Sequence, residues 1–279
     1  MNYHEVHFAL VGPGKTGTVW LSQCIREHSE IFVTRETNFL THYRERGWEY
    51  WSRHFDGRGT KTILGEYAGW YSTFACVPGL LAKHNPALKI VFSIRDPVKR
   101  AISNYRHDRA WGTLGRHVPL GHAVQQDLFF HRYIEPGRYS VHIRRYLDHF
   151  PPEQIILFQS PSDSADTEES LYVLFRFLGA QPERPASLSR VLNKTSAPPL
   201  FPALHHEAYF GSSRAARVIC RALDMLNVHA NSADQHEIPE HDVSLVREMF
   251  ISYQERESLA SLIKSSDLQG SVDLDRWSV

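Results

Sequence analysis

The segment that constrains this chain most is Val6 to Thr18, where the apolar run VHFALV passes directly into GPGKTGT. A short apolar run stopped by Gly and Pro predicts a buried strand ending in a turn. From Thr16 the pattern changes: Val19, Trp20, Cys24 and Ile25 recur about one helical turn apart, which predicts a helix starting at the last glycine. Strand, Gly-rich loop and helix N-terminus in that order aim loop N–H groups and the positive helix end at one point, making an anion cradle. Gly14, Lys15, Thr16, Gly17, Thr18 and Val19 are its candidate lining. Lys15 adds a point charge, and Thr16 and Thr18 add hydroxyl donors. The structural alternative for the same glycines is a tight strand-to-helix turn with positive φ.

A P-loop ATP-dependent kinase is the nearest competing reading. Its Walker A loop requires G-x-x-x-x-G-K-[ST]. With Lys15 as the lysine, Gly14 fits but the outer glycine falls on Ala9. The magnesium-binding Asp that should end an apolar strand is also displaced, because Arg95 stands between Ile94 and Asp96.

Further along, strands are predicted at Thr62 to Gly65, arriving at Glu66, at Leu88 to Ile94 and at Gln154 to Gln159. Helices are predicted over about Ser72 to His84, Pro97 to Arg109, Tyr139 to Phe150 and Asp166 to Leu178, the last closed by Gly179. Strands alternating with helices argue an α/β fold, a parallel sheet covered on both faces. Asn193 to Pro202 reads as a Pro-rich loop and Ala203 to Val279 as a helical C-terminal region. No linker or repeat interrupts the chain, so residues 1–279 are taken as one domain.

Composition narrows the partners. Lys plus Arg and Asp plus Glu number 31 each, so no net field favours nucleic acid or an anionic membrane surface. The three cysteines lack C-x-x-C spacing, and the 17 histidines contain no H-E-x-x-H, so no metal site is expected. Neither a signal-peptide pattern nor an apolar run long enough to span a bilayer is present, which predicts a cytoplasmic protein without a membrane span.

Two segments together carry a family resemblance. Ala9 to Leu21, ALVGPGKTGTVWL, resembles the 5′-phosphosulfate loop of sulfotransferases dependent on 3′-phosphoadenosine 5′-phosphosulfate (PAPS). Lys89 to Tyr105, KIVFSIRDPVKRAISNY, is similar to the family's 3′-phosphate motif, with Arg95 and Ser103 at its two binding positions. Arg95 closes a strand and Ser103 lies about two turns into the next helix, so both can grip one phosphate. Arg35 to Phe39, Leu64 to Tyr71, Gly137 to Pro151, Gln154 to Gln159 and Leu274 to Trp277 resemble pieces of the heparan-sulfate-type branch.

The resemblance implies a single α/β domain with a parallel sheet of about five strands, PAPS as donor, 3′-phosphoadenosine 5′-phosphate (PAP) as product, and no required metal. Lys15 would stabilise the leaving phosphate, Thr16 to Thr18 would hold the 5′ end, and Glu66, by position, would be the general base. His107 follows Ser103 on the motif helix and is the other base candidate, since another branch uses histidine. The branch's late K-G-R segment, which closes over the nucleotide, has no clear copy here, and Lys194 in NKTSAPP is the candidate replacement. One departure is that Tyr67, Ala68 and Gly69 replace the lysine and S/T-P that usually follow the glutamate. The implied acceptor is a hydroxyl, with an amine as second choice, on a small molecule or carbohydrate. Trp48, Trp51, Trp111, Phe129 and Phe130 are its candidate lining. A nucleotide-binding protein without transfer activity is the non-enzymatic alternative, and the sequence does not give the oligomeric state.

Overall fold

The computed structural model describes residues 1–115, 117–162, 166–189 and 237–279, together with 215, 218 and 219. Five strands, β1 (Phe8–Gly12), β2 (Ile31–Glu36), β3 (Ile63–Tyr67), β4 (Lys89–Ile94) and β5 (Ile155–Gln159), form one sheet in the order β2-β3-β1-β4-β5. Every pairing is parallel. The described helices are α1 (Thr18–Glu27), α2 (Gly47–Ser52), α3 (Val77–His84), α4 (Pro97–Ala110), α5 (Leu120–Ala123), α6 (Asp127–Tyr133), α7 (Tyr139–Leu147), α8 (Thr167–Leu178), α9 (Glu240–Ser252) and α10 (Glu255–Ser266).

The strands read as continuous apolar runs because both faces of the sheet are covered. Alternate residues of β1 show it: Ala9 and Val11 join Ile90, Phe92, Leu81 of α3, Tyr146 of α7 and Leu259 of α10 on one face. Phe8 and Leu10 join Val91, Phe158, Leu21 of α1 and Leu174 of α8 on the other. Each such side chain contributes about 1.5–3 kcal/mol by leaving water. A third cluster, with Val98 and Tyr105 of α4, Tyr133 of α6 and Phe250 of α9, packs the helical side of the molecule. At the far edge, Gln269 bridges β5 in parallel and Asp273 N–H bonds the Gln159 side chain at 2.7 Å. The edge strand is thereby covered. Trp277 then packs on Tyr139, 5.7 Å between ring centroids.

Four elements depart from the sequence expectations. β2 was not expected as a strand, because IFVTRE offers only a brief apolar start. β3 runs two residues past Gly65, so Glu66 lies inside the strand, paired with Ala9, and not at its end. α3 begins at Val77, after a turn that takes up Ser72 to Cys76. The C-terminal region ends in a strand-like bridge and a short turn after its helices. The predicted loop Asn193 to Pro202, with Lys194, lies outside the described residues, as does most of the stretch from Ala203 to His236.

Candidate active site

From β1 the chain goes first to β2 and β3 on one side and then to β4 and β5 on the other, so the sheet changes direction at β1. The crevice at the carboxyl end of such a strand is where open α/β sheets hold ligands. Residues 12–17 occupy that place. Gly12 has φ +92°, and a Cβ there would stand 2.2 Å from the Gly69 carbonyl oxygen, so a bare backbone is required. Gly17, φ +90°, is the N-cap of α1 and turns the chain into the helix.

Within the loop the two threonines differ. Thr16 is fully buried and its hydroxyl donates to the Pro13 carbonyl at 2.7 Å, so it fixes the loop's shape. The Thr18 hydroxyl accepts from Tyr67 at 2.9 Å, which leaves its own proton for an anion. Gly14 has open space on its side-chain face, and Val19 is 46% exposed on the first helical turn.

Positive charge gathers behind this loop. Arg95, just past β4, donates to the Lys15 carbonyl at 3.3 Å, and Arg100 of α4 donates to the Gly14 carbonyl at 3.4 Å. The Nε atoms of both arginines are buried without a hydrogen-bond partner. Buried donors are normally satisfied, so the Arg95 Nε marks an unfilled demand for an acceptor, while enclosed Arg100, whose Nη2 donates to the Arg132 and Tyr133 carbonyls, braces the loop from within. Burial pushes the Lys15 ammonium down to about 8; Asp108 holds it up, while Arg100, Arg95 and Arg132 push the same way as burial. Ser103 lies half-buried on α4, two turns beyond Arg95. Asp96 starts that helix by accepting from the N–H groups of Val98 and Lys99 at 2.8 and 3.1 Å.

Arg100, Asp108 and Arg132 are contributors the sequence reading passed over. Arg132, from α6, makes a forked contact with Asp108 through Nε and Nη2, and its guanidinium lies 5.8 Å from the Trp70 ring centroid. Asp108 is fully buried and holds this cation against Trp70 beside the loop. The only sequence sign of Arg132 is its place two residues after the aromatic pair Phe129 and Phe130. His107 is 39% exposed in its side chain, 3.5 Å from Asp108, and stacked on Trp111 at 5.5 Å.

Glu66 is the largest difference between expectation and geometry. Its aromatic, desolvated surroundings are as read from the sequence, but it has no exposed surface. Oε1 accepts from Thr37 Oγ1 at 2.5 Å, Tyr71 Oη at 3.0 Å and Trp51 Nε1 at 3.1 Å; Oε2 accepts from Tyr3 Oη at 2.7 Å. Three donors converge on Oε1 and one on Oε2, so both carboxylate oxygens are held by the chain. Burial pushes its carboxyl up, and the bonds from Thr37, Tyr3, Tyr71 and Trp51 pull against that. The Glu66 carboxylate thus faces the chain's own donors and has no exposed surface. Trp51, expected as cleft lining, is in this buried cage instead, and Phe129 and Phe130 pack into the helical cluster.

A second carboxylate stands nearer the surface. Glu36, exposed at the carboxyl end of β2, accepts through Oε1 from Asn38 Nδ2 at 3.0 Å and from Gly69 N–H at 3.2 Å. Gly69 is the residue whose carbonyl crowds Gly12, so Glu36 stands one residue's width from the anion loop. The sequence held its signal in the RETNF segment. Among the described residues no group of three His, Cys, Asp or Glu side chains is arranged to hold a metal ion. No described helix is long and apolar enough to cross a membrane.

Comparison with known proteins gives the family and the fold. Bifunctional heparan sulfate N-deacetylase/N-sulfotransferase 4 of Mus musculus is 27% identical over 198 residues, 64% of this chain and 23% of that protein. The bovine N-deacetylase/N-sulfotransferase 2 is 25% identical over 198 residues, 63% of this chain and 22% of its own length. The chain thus matches under a quarter of these relatives. A crystal structure of a sulfotransferase from Alicyclobacillus acidocaldarius superposes with a TM-score of 0.56 at 21% identity, covering 81% of this chain and 97% of that one, which is a likeness of fold. The family model described as the sulfotransferase domain matches residues 5–199. That span takes in the loop at Gly14 to Val19, Arg95 and Ser103, and the chain belongs to the sulfotransferase family.

Proposed function

We propose that this chain transfers the sulfuryl group of PAPS to a hydroxyl, with an amine as second choice, of a small-molecule or carbohydrate acceptor, leaving PAP. The observation that carries this is the cation cluster at the end of β1 and β4, where half-buried Arg95 has an Nε without an acceptor. A ligand with one phosphate at the loop and a second near Arg95 and Ser103 meets that demand, because arginine forks and hydroxyls are strong phosphate donors.

In the reaction the acceptor oxygen attacks sulfur as the bond from sulfur to the bridging phosphate oxygen breaks, in line. The chain's part is positioning and charge stabilisation, as in phosphoryl transfer. Lys15 holds the charge arriving on the leaving phosphate, and Thr18, Val19 and the loop N–H groups hold the 5′ end. Arg95 and Ser103 hold the 3′-phosphate, with Lys194 as the candidate for closing over the nucleotide. The proton goes to Glu36, which is exposed beside the loop, and not to Glu66, which is enclosed. His107 stands as the second proton acceptor, half-exposed and oriented by Asp108.

The relatives named for N-sulfation of a glycan put an amino sugar in the test set. The experiment is transfer of radiolabelled sulfate from PAPS to phenol, methyl β-D-glucoside and glucosamine, without added metal, for wild type and Glu36→Gln. Labelled product with wild type and at least about a hundredfold less with Glu36→Gln supports the assignment. PAP binding with no transfer to any acceptor leaves a silent binding module, and full activity in Glu36→Gln hands the base role to His107.

A further inference from the structure

We propose that Glu66 is a positioning residue, a buried anchor that fixes the segment Glu36 to Thr41 so that the Glu36 carboxylate faces the transfer site. The inference rests on the reading of Glu36 as base. Three observations carry it. Each of the four contacts on Glu66 is a donor, and the Trp51 N–H can do nothing else, so the cage fits the ionised carboxylate. Two of those donors reach the Glu36 segment directly. Thr37 is the next residue, and the Tyr71 hydroxyl, which donates to Glu66, also accepts from Leu40 N–H at 2.9 Å.

Between these two anchors lies Asn38 with φ +45°, in the left-handed region that asparagine enters more readily than other non-glycine residues. The Asn38 side chain in turn donates to Glu36 and accepts from Trp70 N–H at 3.3 Å. The buried carboxylate therefore holds the residues on either side of Asn38, Thr37 directly and Leu40 through Tyr71, and Asn38 orients the exposed carboxylate. Tyr3 gives the internal control. It comes from the N-terminal turn, bonds only Oε2 of Glu66, and makes no hydrogen bond to residues 36–41 among the described contacts.

The test compares Glu66→Gln, Thr37→Val and Tyr3→Phe in the full chain. One readout needs no substrate: amide hydrogen exchange of Leu40 to His42. Glu66→Gln and Thr37→Val speed it at least tenfold, and Tyr3→Phe lowers the melting temperature without speeding it. The second readout is PAP release from PAPS with a mixture of phenol, methyl β-D-glucoside and glucosamine. Here Glu66→Gln and Thr37→Val lower kcat about tenfold with PAP affinity kept within twofold, and neither lowers it further in a Glu36→Gln background. Equal effects of Tyr3→Phe and Thr37→Val on exchange, or losses that multiply with Glu36→Gln, overturn the proposal. Wild-type kcat in Glu36→Gln alone removes the base reading and the catalytic role of Glu66 with it. Exchange then still reports separately whether Glu66 anchors the segment, which also guards against Glu66→Gln failing to fold.

Discussion

The two halves of the site, on either side of β1, are charged in opposite ways and finished to different degrees. On the β4 side, Lys15, Arg95 and Arg100 gather, and half-buried Arg95 has an N–H lacking an acceptor, so the site is open to an anion from outside. On the β2 and β3 side, Glu66 has four donors from the chain and Glu36 has two, both on Oε1, so the buried carboxylate is satisfied and the exposed one is oriented by the chain itself. A region short of acceptors gains stability when its ligand arrives, while a closed network holds its shape before any ligand does. The β4 side is thereby suited to binding and the β2 side to orientation.

The sharpest way to break this comparison is to remove a charge from each half. Lys15→Ala removes the cation at the leaving phosphate, and transfer should fall about a thousandfold in a single-turnover assay. Glu36→Gln should cost about a hundredfold in kcat with PAP affinity unchanged, as measured by calorimetry. Equal losses of PAP affinity in both variants would erase the distinction between the halves.

Smaller effects sharpen the contrast. Gly12→Ala places a methyl 2.2 Å from the Gly69 oxygen at φ +92°, so the loss should exceed about 1 kcal/mol and lower the melting temperature by several degrees. The pH response separates binding from folding. Because burial lowers the folded Lys15 pKa to about 8, the unfolded chain keeps that proton longer, and this group makes the ligand-free protein more stable as pH rises from about 8 towards 10.5. PAP needs the ammonium, so its affinity should move the other way and fall by up to roughly tenfold per pH unit above about 8. Melting curves with and without PAP across pH 7 to 10 check both signs. Smallest is Tyr67→Phe, which removes the 2.9 Å bond to Thr18 and should change PAP affinity by no more than about 1 kcal/mol in calorimetry.

The β4 side was legible because its signals are contiguous. GPGKTGT follows its strand directly, and Arg95 and Ser103, singled out by the resemblance to the 3′-phosphate motif, follow β4 within one continuous stretch. The β2 side was not, because it is assembled across the chain. Tyr3 is 63 positions from Glu66 and Thr37 is 29, and no local pattern announces that their hydroxyls meet one carboxylate. Missing β2 as a strand hid Glu36 at its exposed end, and stopping β3 at Gly65 made Glu66 look like the residue at a strand's edge. Arg132 escaped for the same reason, since its partner Asp108 lies 24 residues earlier on another helix.

The measurement that tests the central claim most directly is calorimetric titration of the metal-free protein with PAP and with AMP, on wild type and Arg95→Ala. The account predicts that wild type prefers PAP over AMP by at least about thirtyfold, the 3′-phosphate contributing about 2 kcal/mol or more through Arg95 and Ser103, and that Arg95→Ala removes most of this preference. Equal binding of PAP and AMP by wild type, or an unchanged preference in Arg95→Ala, would contradict it.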